Sequence, residues 1–191
     1  MKKNPATILP QNIRLNSHDT RKNLPRVSSA KRGESNFLRE FETVYFNDDE
    51  NKGKCFARGR EFTLEGYGRA DIIWLAWKNK TSGEKHFTGP LQNKMHIIAI
   101  EAKLKDWRKG LMQVARYRYF ANKAILVLAP QASAVAVRHL DAFKKLSVGL
   151  WEFDPKSASI IKHTTPRKQK PLCALAQTRA LKIITPCLKL G

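Results

Sequence analysis

Three charged side chains stand where an apolar sequence should not tolerate them. The run IIAIEAKL (97–104) has the length and composition of a buried strand, yet it carries Glu101 and Lys103. Positions two apart on a strand share a face, so Glu101 and Lys103 lie with Ala99, while Ile98, Ile100, Ala102 and Leu104 take the other side. Upstream, GRADIIWLAW (68–77) sets Asp71 at the mouth of a second apolar strand. Two carboxylates brought together from neighbouring strands repel each other, and an unpaired buried charge is costly. A divalent cation between them relieves both penalties, and hard oxygen ligands suit Mg²⁺ or Mn²⁺. A lysine beside such a cation can orient or activate a water and offset charge building on a phosphate. The chemistry open to this set is phosphodiester hydrolysis. The alternative for Glu101 and Lys103 is a self-satisfied ion pair or a sheet edge facing solvent.

The elements that must position these residues can be read from periodicity. SNFLREFETVYF carries apolar residues at 37, 38, 41, 44 and 45, a helical stripe with Ser35 or Asn36 as its cap. CFARGREFTLEGYGRADIIWLAW gives strand-like segments parted at EGYGR, a turn or bulge that lacks the strand–turn–helix setting of a nucleotide loop. KNKTSGEKHFTGPLQNK is polar, with Gly and Pro, and predicts a loop. MHIIAIEAKL is the next strand, and DWRKGLMQVARYRYFA places Leu111, Val114, Ala115 and Phe120 at helical spacing. AILVLAP predicts a buried strand, AVAVRHLDAFKKL a helix and VGLWEFD a final strand. The order helix, three strands, helix, strand, helix, strand predicts an α/β core on a mixed sheet.

Asp71, then Glu101-Ala102-Lys103 on the next apolar strand, then a helix and a buried strand, resembles the PD-(D/E)xK nuclease superfamily, the restriction-endonuclease-like fold. The resemblance covers residues 34–154. It implies an αβββαβ core, flanked by helices, and Mg²⁺-dependent cleavage of DNA. It also implies Asp71 and Glu101 as metal ligands, with the backbone carbonyl of Ala102 as a further ligand, and Lys103 as the group that positions the attacking water. Gln113 and Tyr117 stand at i, i+4 on one helical face, a Q-x-x-x-Y similar to that of the RecB-like branch, where the pair lies beside the active site. Many members carry a glutamate on the first helix that completes the metal site. Glu34 matches that position, with Glu40 and Glu42 as alternatives. Ala70 stands where the name motif has proline, and the 30 positions from Asp71 to Glu101 make the intervening polar loop an insertion near the site.

The charge balance points the same way. Lys and Arg number 36 against 16 Asp and Glu, a formal net charge of +20, and a polyanionic partner is the simplest reason to keep that much like charge on 191 residues. Residues 1–33 hold eight basic residues and one acid, Asp19, with no apolar period, and predict a disordered basic arm. Residues 155–191 contain no acid at all and predict a basic tail, in which LCALAQTRALKII leaves room for a short helix. Both tails would contact phosphate backbone without reading sequence. Arg108, Lys109, Arg116 and Arg118 on the helix after the motif, with Tyr117, would grip nucleic acid beside the site. The three cysteines form no C-x-x-C pair and the histidines no ligand spacing, so a structural zinc site is not suggested. No apolar run reaches the ~18–20 residues of a membrane span, and the expectation is a cytoplasmic DNA endonuclease. Double-strand cleavage with one site per chain would favour a homodimer. The other readings are a non-catalytic nucleic-acid-binding protein on a degenerate nuclease fold, and a nuclease directed at RNA.

Overall fold

The alternation seen in the two charged strands builds the centre of the structure. In this computed structural model, which describes residues 6–8, 29–47, 55–77 and 95–184, the strands β3 (Gly68–Trp77) and β4 (Met95–Lys103) run antiparallel, with Ile72 opposite Ile100 and Trp74 opposite Ile98. Even-numbered Ile72, Trp74, Ala76, Ile98, Ile100 and Ala102 face one core, while Ile73, Leu75, Met95, Ile97 and Ala99 face the other. The sheet is therefore buried on both sides, as its near-continuous apolar strands require.

A helix covers each face. The helix α1 (Ser29–Asn47) presents Phe37, Phe41 and Tyr45 at a spacing of four. Phe41 stacks on Tyr45 at 5.4 Å between ring centroids, and Tyr45 meets Trp74 edge-on at 5.3 Å. Each such aromatic contributes roughly 1.5–3 kcal/mol by burial. On the opposite face α2 (Trp107–Tyr117) buries Trp107, Leu111, Val114 and Tyr117. Its start is fixed by Asp106, which takes the left-handed conformation (φ 43°) and accepts the Lys109 N–H at 3.1 Å.

The remaining strands extend a seven-stranded mixed sheet in the order β1 to β7. The strand β1 (Ala6–Ile8) pairs parallel with β2 (Cys55–Leu64), and β2 pairs antiparallel with β3. The β2–β3 turn closes with the Tyr67 N–H on the Leu64 carbonyl, and Gly66 and Gly68 supply its positive φ angles of 83° and 97°. Next, β5 (Lys123–Leu128) lies parallel to β4, and β6 (Gly149–Asp154) parallel to β5. Two short helices, α3 (Pro130–Ala136) and α4 (Leu140–Lys145), fill the β5–β6 crossover. The strand β7 (Ser159–Thr164) returns antiparallel to β6, and α5 (Ala174–Ile184) closes the described chain.

The core order expected from periodicity is present; its boundaries differ. Helix α1 begins at Ser29 rather than near Ser35, within the segment expected to be a disordered arm. The described part of the segment after 154, up to residue 184, is structured rather than a tail. It pairs through β7 and then buries Ala176, Ala180, Leu181 and Ile184 in the α2-side core. A stripe at i, i+4, i+5 and i+8 outweighs its basic composition. The rest of the expected arm (1–5 and 9–28), the insertion loop (78–94) and residues 185–191 lie outside the described residues. Among the described residues no helix is long and apolar enough to cross a membrane.

Candidate functional site

The two carboxylates meet where β3 and β4 part. The β3–β4 ladder ends at the Ile72–Ile100 pair, and one residue beyond it the Asp71 side chain takes over the backbone pairing. Its Oδ2 accepts the Ala102 N–H at 2.8 Å, and Oδ1 has no hydrogen bond among the described residues. Glu101 is 1% exposed. Its Oε1 accepts from Lys103 Nζ at 2.7 Å and its Oε2 lies 2.6 Å from the Tyr117 hydroxyl. The Tyr117 hydroxyl also faces the Arg69 carbonyl oxygen, so its single proton serves two acceptors.

Electrostatics follow from this crowding. Burial and the Glu101 charge push the Asp71 carboxyl up to about 7, against a weaker downward pull from the Ala102 N–H and from Lys103. Burial alone would lower the Lys103 ammonium; Glu101 beside it, with Asp71 and Glu34 farther off, reverses that and raises it. Lys103 is therefore a cation at neutral pH in this arrangement. Burial and Glu101 also push the Tyr117 phenol up, which keeps it a neutral donor.

Helix α2 locks this arrangement from above. Gly110 lets it approach closely: a Cβ there would sit 2.6 Å from Leu126 Cδ1 and 3.3 Å from Lys103 Cγ. Gly110, Gln113 and Tyr117 form one stripe, so Gln113 lies between the residue that meets Lys103 and the residue that bonds Glu101. Gln113 Oε1 is buried without a hydrogen-bond partner, an acceptor whose desolvation costs about 1–3 kcal/mol. At the start of α1, a Cβ on Gly33 would lie 3.1 Å from Leu104 Cδ1. That packing brings the half-buried Glu34 within electrostatic range of Lys103.

Asp71, Glu101, Lys103 and Tyr117 are thus brought together, and Ala102 joins them through its backbone. Glu34 is near but does not join the two carboxylates: among the described residues no group of three or more His, Cys, Asp and Glu is gathered as a metal-holding set. Glu42 is excluded as its substitute, being buried and ion-paired to Arg60 and, at 3.4 Å, to Arg58.

Two expected nucleic-acid contacts are placed otherwise. Tyr117 is fully buried, and its polar atom is spent on Glu101 and Arg69, so it positions a carboxylate and offers no surface. Arg118 is 2% exposed. Its guanidinium donates to the Ala121 carbonyl at 2.7 Å, to Gln169 Oε1 at 2.8 Å and to the Lys170 carbonyl at 3.3 Å. Arg108, Lys109 and Arg116 do face solvent, with Arg108 lying 4.6 Å over the Trp107 ring. Comparison with protein-family models, with curated proteins and with solved structures finds no match for this chain.

Proposed function

We propose that the chain is a metal-dependent nuclease that hydrolyses phosphodiester bonds in DNA, built on a restriction-endonuclease-like core. The order α1-β2-β3-β4-α2-β5 suits that fold. The observation that carries the functional reading is a pair of mutually repelling carboxylates, Asp71 and Glu101, with a cationic lysine 2.7 Å from one of them.

The residues present fit a divalent cation. Asp71 keeps one unbonded oxygen, and its raised affinity for a proton is what a carboxylate shows when it lacks a compensating positive charge. Asp71, Glu101 and the Ala102 carbonyl would hold Mg²⁺ or Mn²⁺. When bound, the cation supplies Lewis-acid polarisation of the phosphate and lowers the pKa of a water. Lys103 Nζ orients the attacking water and donates to the phosphate oxygen on which charge accumulates. Tyr117 fixes Glu101 through Oε2, so that this carboxylate is pre-set. Gln113 Oε1 is a buried acceptor beside the site whose missing hydrogen bond a bound water would supply.

The test is a nuclease assay on linear, supercoiled, branched and single-stranded DNA and on matched RNA. Cleavage of DNA with Mg²⁺ or Mn²⁺, absent with EDTA and lost in Glu101→Ala and Lys103→Ala, is the expected result. DNA binding that is indifferent to EDTA, without cleavage of any form, would leave a non-catalytic binding protein. Cleavage confined to RNA would correct the substrate.

A further inference from the structure

The Arg118 guanidinium is a buried cation used to hold a loop, and the loop it holds is strongly basic. Burying a charge is tolerated only with full hydrogen bonding, and here the acceptors are Gln169 Oε1 and the Lys170 carbonyl, besides Ala121. Asn122 adds two more ties: its Nδ2 donates to the Gln169 carbonyl at 3.0 Å, and its own carbonyl accepts the Gln169 N–H at 3.1 Å. Gln169 is thus fixed through its backbone N–H, its carbonyl and its side chain. Its neighbours Arg167, Lys168 and Lys170 are all exposed.

Lys123, half-buried at the start of β5, completes the group. Burial and the nearby Lys168 charge lower its pKa, so the two ammonium groups repel each other. Among the described residues none of these four cations has a carboxylate partner. The sequence makes such a partner scarce: residues 107–140 and 155–191 contain no Asp or Glu. A fixed loop that gathers unopposed cations is destabilised by self-repulsion, and a polyanion relieves it.

The place of this group in the sheet gives it meaning. In the β4–β5 register Lys123 pairs with Ile98 and Leu126 with Glu101, so the cluster sits at the start of β5 and the carboxylates beside its second half. Three residues at about 3.3 Å each separate them by roughly 10 Å along the strand.

We infer that Lys123, Arg167, Lys168 and Lys170 form a second phosphate-backbone contact, which holds nucleic acid about 10 Å along the sheet from the carboxylate site, beyond the segment that would be cut. The inference rests on the proposed nuclease reading for its partner, and on the Arg118 and Asn122 bonds for its geometry.

Equilibrium binding of a fluorescent DNA duplex in EDTA, measured across a salt series, tests it. The neutralised variant R167Q/K168Q/K170Q is compared with R138Q/K145Q/K156Q, which removes three exposed cations elsewhere. The first is expected to bind at least tenfold more weakly at low salt, with its log K against log[salt] slope reduced by about 2–3. The second should stay near wild type. Single-turnover cleavage at saturating protein should survive in the first variant, whereas it fails in Glu101→Ala. Equal losses in both triple variants would reduce the effect to net charge and overturn the inference. An unchanged slope in the first would do the same while leaving the nuclease reading intact. Wild-type protein that binds no DNA would remove both. A loss seen only on phosphatidylserine vesicles would replace nucleic acid by a lipid surface.

Discussion

Replacing Asp71 by asparagine should stabilise the metal-free protein above neutral pH while abolishing the proposed nuclease activity. Folded Asp71 titrates at about 7 against an ordinary value of 3.8. That gap of roughly 3 units, at 1.36 kcal/mol per unit, corresponds to about 4 kcal/mol. The folded chain holds the proton more tightly than the unfolded chain, so between about pH 4 and pH 7 it binds more protons, and stability falls as pH rises through that window. Asparagine carries no charge at any of these values, and its side-chain carbonyl can still accept the Ala102 N–H that Asp71 Oδ2 accepts at 2.8 Å. The difference between Asp71→Asn and wild type should therefore be small near pH 4 and grow to about 4 kcal/mol by pH 8.

For a chain of this size 1 kcal/mol moves Tm by about 2–4 °C, so the expected gain at pH 8 is roughly 8–16 °C. Thermal unfolding followed by circular dichroism in EDTA, at intervals from pH 4 to pH 8, reads it directly. Other groups titrate in both proteins and cancel in the comparison. Added Mg²⁺ should stabilise wild type, by about 2.7 kcal/mol at a hundredfold excess over Kd, and the variant less. A variant that follows the wild-type curve in parallel, or that is the less stable at pH 8, would refute the claim that Asp71 is a buried, uncompensated carboxylate.

Two substitutions probe the helix that holds the site. Tyr117→Phe keeps the ring and deletes the hydroxyl between Glu101 and the Arg69 carbonyl, a charge-assisted bond of about 1.5–3 kcal/mol that urea unfolding should register. A stability equal to wild type would mean that the hydroxyl holds nothing. Gly110→Ala gains about 1 kcal/mol of helix propensity but drives a methyl to 2.6 Å from Leu126 Cδ1 and 3.3 Å from Lys103 Cγ. Overpacking costs about 1–3 kcal/mol, so a net loss of up to about 2 kcal/mol is expected, together with slower cleavage as Lys103 is displaced. A stabilised and fully active variant would show that Leu126 yields without cost.

What could be read from the sequence was set by local periodicity. Alternation by two put Glu101 and Lys103 on one face and Ile98, Ile100 and Ala102 on the other, and the structure has that arrangement. Spacing by four put Gln113 and Tyr117 on one stripe; it could not say that the stripe faces Glu101, because that depends on where α2 crosses the sheet. Arg118 reads in sequence like Arg116 two positions earlier. Only the return of residues 169–170, about fifty positions later, turns one into a buried anchor while the other stays in solvent. Glu42 was indistinguishable from Glu34 on the same helix until β2 supplied Arg58 and Arg60. The same limit hid the C-terminal unit. Its strand pairs with β6, and its helix packs under residues more than fifty positions upstream, so its basic composition was the louder signal.

The charge layout gives the site its logic. A formal charge of +20 favours a polyanionic partner, yet Asp71 and Glu101 place two carboxylates together where β3 and β4 part. Lys103 balances one of the two carboxylates, and Asp71 is left with a carboxyl that holds its proton to about pH 7. On the proposed reading, a phosphate at that edge would add to the unbalanced charge, and proton uptake by Asp71 would relieve it only below neutrality. Above neutrality the remaining relief is a cation held by the same oxygens. Nucleic-acid binding and divalent-metal binding should then strengthen each other at this edge, because each supplies the charge the other lacks.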